Sequence, residues 1–212
     1  MSADFDALLI LAGPDFDRLS FQALCGEIFL LAVDGGLNHL QNYSGLVDLH
    51  LGDMDSFVAA DNLPVVKNTL QVAAEKDDSD CRLALHYLQQ HGYRRIAVFG
   101  SCGGRNDHQI QFLETAVDAC ADGVEITAFN TADIICFSTG EIRFSGLTAP
   151  RTISVFAGTE ACTGVTYSGL KYPLDNYTLR RSHPLGLSNL SVSDEVIIQH
   201  QTGVLIAILN KK

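Results

Sequence analysis

Along the first part of the chain, whole segments alternate in character. Apolar runs over Phe5–Ala12, Ile28–Val33, Val47–Leu51 and Arg95–Gly100 are short, rich in Leu, Ile, Val and Phe, and give way to Gly or Asp at their ends. A strand covered on both faces has no side free for polar residues, so these runs predict a parallel sheet. Between them the apolar positions change period. Cys81, Ala84, Leu85 and Leu88 recur at helical spacing, as do Ile110, Leu113, Ala116, Val117 and Cys120, while Arg82, Gln89, Gln111, Glu114 and Asp118 take the other faces. Strand, helix, strand in this order is a βαβ pattern.

Near residue 130 the texture shifts. ICFSTGEIRFSG, RTISVFAG and VIIQHQTGVLIAIL are strand-like runs separated by glycine-containing turns, with no helical stretch between them. The last predicts a hairpin, Glu195–His200 turning through Gln201, Thr202 and Gly203 into Val204–Leu209. The expected fold is therefore a Rossmann-like α/β domain with a mainly parallel sheet over residues 1–132, followed by an antiparallel β-sandwich over 133–212.

Composition narrows the function. A hydrophobic content of 47% fills a proper core, and 25 acidic residues against 14 Lys plus Arg give a net charge of -11. That balance argues against broad binding to nucleic acid or to anionic membranes, and an anionic substrate would need local cations or metal ions. The cysteines, Cys25, Cys81, Cys102, Cys120, Cys136 and Cys162, show no CxxC pair and no zinc-like spacing, as expected of a reducing compartment. The start, MSADFDALLILAG, is too short in its apolar run for a membrane span and acidic where a secretory signal is basic, so a cytoplasmic location is expected.

The candidate chemistry lies in four polar stretches. HLGDMDSF follows the Val47–Leu51 strand, placing Asp53 and Asp55 at the carboxyl end of a parallel sheet, where alternate residues of an extended segment face one way. EKDDSD precedes the Cys81–Gln90 helix; Asp77, Asp78 and Ser79 suit helix capping, yet one cap needs one residue. Asp77 and Asp80 are expected on one side of the first turn, with Lys76 beside them as a compact cation for a phosphate oxygen. Neighbouring carboxylates repel unless a cation stands between them, and Asp53, Asp55, Asp77 and Asp80 would offer Mg²⁺ the hard oxygen donors it takes together with substrate phosphates. An Asp-rich turn and a capped helix are the simpler alternatives.

Glycine turns supply the anion side. In VFGSCGGRNDHQ a strand ends in a turn that opens a helix, where free N–H groups and the helix dipole favour phosphate. It is neither a Walker A loop nor GxGxxG. Arg105, between Gly103–Gly104 and Asp107–His108, supplies a guanidinium able to bind phosphate oxygens through two bonds. In VDGGLNHL, Asp34 suits a ribose or base, and Gly35 and Gly36 admit either a nucleotide or a tight turn.

Taken in order, VDGGLNHL, LGDMDS, KDDSD and GSCGGRNDH resemble the thiamine pyrophosphokinase family, with its DGG, GD-x-DS, KD-x-[ST]-D and GGR-x-DH elements. GLKYPL at 169–174 and GLSN at 186–189 are similar to the segment with which that family holds thiamine. The resemblance implies an ATP- and Mg²⁺-binding α/β domain, a β-sandwich, and a homodimer with its active sites between subunits. It implies transfer of the terminal diphosphate of ATP to the hydroxyl of thiamine, giving thiamine diphosphate and AMP. By position, Asp53, Asp55, Asp77 and Asp80 match the acidic metal region, Arg105 and Asp107 the GGR-x-D element, and Ser188 with Asn189 the thiamine side. With no Trp in the chain, stacking on thiamine falls to Tyr172, Tyr177 or His183. Two other readings remain open at this stage: a metal-dependent phosphohydrolase or other nucleotide-dependent kinase, and a non-catalytic nucleotide sensor.

Overall fold

The apolar runs form strands where the pattern places them: β1 (Ala7–Ile10), β2 (Phe29–Val33) and β3 (Leu46–Gly52). A further strand, β4 (Val65–Gln71), lies beside β3, and β5 (Arg95–Phe99) completes the set. The protein is seen here in a computed structural model that describes residues 5–53, 62–73, 77–148 and 150–212. It comprises two units, residues 5–115 with 128–131, and residues 116–127 with 132–212.

In the first unit the strands are parallel and ordered β5-β1-β2-β3-β4. Every residue of β1 is buried, which explains its unbroken apolar sequence. Helix α1 (Arg18–Leu24) starts at Asp17, whose Oδ1 accepts the Ser20 N–H at 3.2 Å. A 3₁₀ helix, Asp34–Leu40, follows β2. Helix α2 (Asp80–Gln90) buries Cys81, Ala84, Leu85 and Leu88, the face read from their spacing. Its N-cap is Ser79, which leaves Asp77 outside the first turn where the sequence had suggested it would lie. Helix α3 (Asn106–Ala121) turns its apolar face a step round from the expected one, burying Phe112, Ala116 and Cys120 and leaving Ile110 60% exposed. The bulky Phe112 ring wins the interior place, since its burial is worth about 1.5–3 kcal/mol.

After β6 (Glu125–Phe129), the second unit is antiparallel throughout. One sheet runs β12 (Asn189–Leu190), β9 (Thr152–Ala157), β14 (Leu205–Asn210), β7 (Asp133–Ser138). The other runs β11 (Tyr177–Arg180), β10 (Ala161–Ser168), β13 (Glu195–Gln199), β8 (Ile142–Ser145). Ile153, Val155, Leu205 and Ala207 from the first meet Phe144, Val165, Val196 and Ile198 from the second in one core, which makes the unit a β-sandwich. The hairpin expected over 195–209 does not form. β13 pairs with β10 and β8, while β14 pairs with β7 and β9. Each strand alternates buried and partly exposed positions, and two strands that bury one face in the same core from opposite sides belong to opposing sheets. Among the described residues, no helix is long and apolar enough to cross a membrane.

Candidate active site

Strand order fixes where a ligand can enter the first unit. β2, β3 and β4 extend from one side of β1 and β5 lies on the other, so the chain reverses direction across the sheet at β1. Loops leaving the carboxyl ends of β1 and β5 therefore diverge, and open α/β sheets bind ligands in the crevice this leaves. A cavity of about 460 Å³ opens there, within the range of small-molecule sites. Leu11–Pro14 line it after β1, Val33 and Asp34 after β2, Ser79 and Asp80 at the start of α2, and Gly100–Cys102 with Gly104, Arg105 and His108 after β5.

Three of the four polar stretches thus meet around one space. Asp34 holds a φ of +44°, a left-handed conformation that Asp tolerates better than most residues. Its carbonyl oxygen accepts a bond from His50 Nε2 at 2.9 Å, and its carboxylate lies directly against the Cα of Gly52. A methyl group on Gly52 would collide with that carboxylate. Gly52→Ala is expected to push the Asp34 carboxylate out of place and to lower stability by about 1–3 kcal/mol, the usual cost of overpacking, read as a fall in Tm. Gly35 and Gly36 are buried, and Gly36 packs so tightly on the Ile10 carbonyl that a Cβ would not fit; here the close approach is to strand β1.

Asp53 is half-buried immediately after β3, one residue beyond the glycine that carries the Asp34 carboxylate. Asp55 and Lys76 lie outside the described residues. Asp77 is exposed, two positions before the N-cap, whereas Asp80 opens α2, half-buried on the cavity wall. Among the described residues, no group of three or more His, Cys, Asp or Glu gathers closely enough to hold a metal ion. Among the described residues, the cavity presents a pair of carboxylates, Asp34 and Asp80, and one guanidinium.

That guanidinium, Arg105, is exposed together with Gly103, Gly104, Asp107 and His108. It donates from Nε to Asp107 Oδ1 at 3.1 Å and from Nη2 to Oδ2 at 2.6 Å, a two-bond fork. These bonds hold the Asp107 carboxyl below the ordinary carboxylate range and push the Arg105 pKa up, so both groups stay charged. Asp107 Oδ1 also accepts the His108 N–H at 3.0 Å, fixing the fork to the first turn of α3.

The loop after β1 was not picked out by its residue types, yet it forms one wall. Gly13 N–H donates to the Gly100 carbonyl at 2.9 Å and Asp15 N–H to the Cys102 carbonyl at 3.1 Å. The Asp15 carboxylate accepts the Thr131 N–H at 2.9 Å and the Cys102 thiol at 3.5 Å, which joins three loops. His39 stacks on Phe16 with ring centres 4.8 Å apart, and its Nε2 donates to the Gly13 carbonyl at 2.9 Å. Burial lowers the His39 pKa, which keeps the ring neutral. The available signal was Gly13–Pro14 at the end of the first apolar run, a breaker at the carboxyl end of a parallel strand.

The second unit holds the remaining candidates. Asn189 is buried, with Oδ1 accepting the Tyr172 N–H at 3.0 Å and Nδ2 donating to the Tyr172 carbonyl at 2.7 Å. Its amide thus fastens the GLKYPL segment from behind, while the Tyr172 ring stands 60% exposed with Lys171 Nζ over it at 5.4 Å. Ser188 is exposed at a φ of +57°, and its N–H donates to Ser154 Oγ at 3.0 Å.

Residues 22–128 match the thiamin pyrophosphokinase catalytic domain, and residues 141–205 match the thiamin pyrophosphokinase vitamin B1 binding domain. The chain belongs to the thiamin pyrophosphokinase family. It is accordingly a diphosphotransferase, an enzyme whose substrates are ATP and thiamine. A thiamine pyrophosphokinase of Bacillus subtilis (strain 168) is 28% identical over 183 residues, covering 84% of this chain and 85% of the relative. The crystal structure of thiamine pyrophosphokinase from Bacillus subtilis has the same fold, with a TM-score of 0.80 at 22% identity over 97% of this chain and 99% of that one. That of thiamin pyrophosphokinase from Geobacillus thermodenitrificans gives a TM-score of 0.79 at 24% identity, over 97% of both chains. In thiamin pyrophosphokinase terms, Asp34, Asp80 and Arg105 fall in the catalytic match, and Tyr172, Ser188 and Asn189 in the vitamin B1 binding match.

Proposed function

We propose that residues 1–132 bind ATP with Mg²⁺, that residues 133–212 bind thiamine, and that the terminal diphosphate of ATP passes to the thiamine hydroxyl to give thiamine diphosphate and AMP. The observation that carries this reading is the cavity at the sheet's reversal point, where Asp34, Asp80 and Arg105 stand together. A triphosphate suits such a place: Arg105 offers paired donors to its oxygens, and the turn at 100–104 offers backbone N–H groups beside the start of α3.

Magnesium fits the donor set, because Asp53 and Asp80 are hard oxygen donors, and Asp55 and Asp77 belong to the same acidic stretches. When bound, it would neutralise the triphosphate and polarise the phosphorus under attack. The protein's own part is positional. The thiamine oxygen forms its bond to the β-phosphorus as the bridging bond from β-phosphorus to the AMP oxygen breaks, so nucleophile, phosphorus and leaving oxygen must lie in line. Arg105 stabilises the charge spread over the phosphoryl oxygens. One aspartate accepts the hydroxyl proton, and Asp55 and Asp77 are the two candidates for that base. Lys76, Gly103, Gly104 and His108 complete the phosphate side, with Asp34 toward the nucleoside. Tyr172 supplies a ring face for thiamine, beside Ser188, on a segment braced by Asn189.

The reading extends to a cytoplasmic homodimer with its active sites between subunits. Tyr172, Leu185, Leu187 and Val192 are each more than half exposed in the thiamine-side region, an apolar surface that a second copy would cover. Incubation of the purified protein with ATP, Mg²⁺ and thiamine, followed by chromatography, tests the reaction. AMP and thiamine diphosphate in equal amounts are expected, with neither formed when thiamine is left out; ADP or inorganic phosphate in their place would refute it.

A further inference from the structure

Helical periodicity assigns Gln111 to the outer face of α3, but the side chain is half-buried and lines the cavity. Its Nε2 donates to Ser79 Oγ at 2.6 Å and to Thr115 Oγ1 at 2.6 Å. Ser79 Oγ is also the cap of α2, accepting the Arg82 N–H at 3.2 Å. A hydroxyl oxygen has two acceptor positions and one proton. With both acceptor positions taken, Ser79 has only its proton left to offer, and Ser79 stands on the cavity wall.

We propose that Gln111 is a positioning residue for nucleotide binding: it holds the Ser79 hydroxyl as a donor toward a phosphate oxygen and ties the start of α2 to α3. The proposal rests on the reading of the cavity as the magnesium–ATP site. Polarity matters because phosphate oxygens are acceptors only, so a serine presenting its lone pairs would repel them. The buried Thr115 takes the second amide hydrogen, so the donating edge of Gln111 faces both hydroxyls at once. The same bond spans the acidic helix start, with Asp80, and the helix that follows Arg105, setting the spacing between the carboxylate and guanidinium sides of the cavity.

The test is a double-mutant cycle on the full chain with Gln111→Met, Ser79→Ala and both together. A non-hydrolysable ATP analogue in Mg²⁺ is titrated by calorimetry, with KM for ATP, KM for thiamine and Tm measured alongside. Gln111→Met is expected to weaken analogue binding and raise KM for ATP about tenfold, the scale of one hydrogen bond to a charged group, and to leave KM for thiamine within about twofold. The double variant is expected to bind no more weakly than Ser79→Ala alone, because Gln111 acts through Ser79. Losses that add in full, or a lowered Tm with unchanged analogue binding, would overturn the proposal. A wild-type protein that binds the analogue without turning over thiamine would defeat the assigned reaction and leave the role of Gln111 standing, whereas no binding by the wild type would defeat the nucleotide site and this proposal with it.

Discussion

Asp80→Asn is expected to lower kcat/KM by on the order of 10²–10³ while leaving the fold intact, a loss typical of removing one group that stabilises transition-state charge. The substitution keeps the shape of a residue that lines the cavity from the first turn of α2, and removes its negative charge. A carboxylate at a helix start also interacts favourably with the dipole, so a stability loss of about 0.3–1 kcal/mol is expected alongside. The two effects separate cleanly when kinetics are run over a range of Mg²⁺ concentrations and Tm is measured in parallel: near-normal turnover at low Mg²⁺ would remove Asp80 from the site. Asp55→Asn and Asp77→Asn carry the same expectation on activity.

Arg105→Ala is expected to cost a comparable factor, about 10²–10³ in kcat, with Arg105→Lys recovering only part of it. Both arms of the guanidinium rest on Asp107, and the pair is exposed to solvent. An exposed pair is worth little to stability, so the residue's conformation is available for exchange with a phosphate at small cost. Lysine keeps the charge and loses the planar double contact, which is why the two substitutions are expected to differ. If Arg105→Lys and Arg105→Ala proved equal to the wild type in single-turnover experiments, Arg105 would have no part in the transfer.

How far the sequence could lead depended on what surrounds each segment. β1 and β5 read clearly, because burial on both faces leaves a run such as ALLI with nothing polar in it. β4 did not, because Val65–Gln71 is largely exposed at the edge of the sheet and carries Lys67, Asn68 and Thr69 among its apolar residues. The 195–209 stretch showed two strands and a glycine turn truthfully; what a turn cannot tell is whether the second strand returns to the same sheet or crosses the sandwich. At the site, charged and glycine-rich stretches drew notice because their residue types are costly without a purpose. Asp34, Asp80 and Arg105 were found in that way, and they line one cavity. Gln111 and Asp15 were passed over, since a glutamine on a helix and an aspartate after a turn look ordinary until their partners are visible. The job of Asn189 was hidden for the same reason: its amide is spent on the backbone of Tyr172, seventeen residues away.

The most direct test of the account is a crystal structure with a non-hydrolysable ATP analogue, Mg²⁺ and thiamine bound together. It is expected to show the triphosphate in the cavity beside Arg105, with magnesium held between its oxygens and the carboxylates of the 53–55 and 77–80 stretches. A triphosphate seated elsewhere on the protein, or those carboxylates turned away from the metal into solvent, would contradict it.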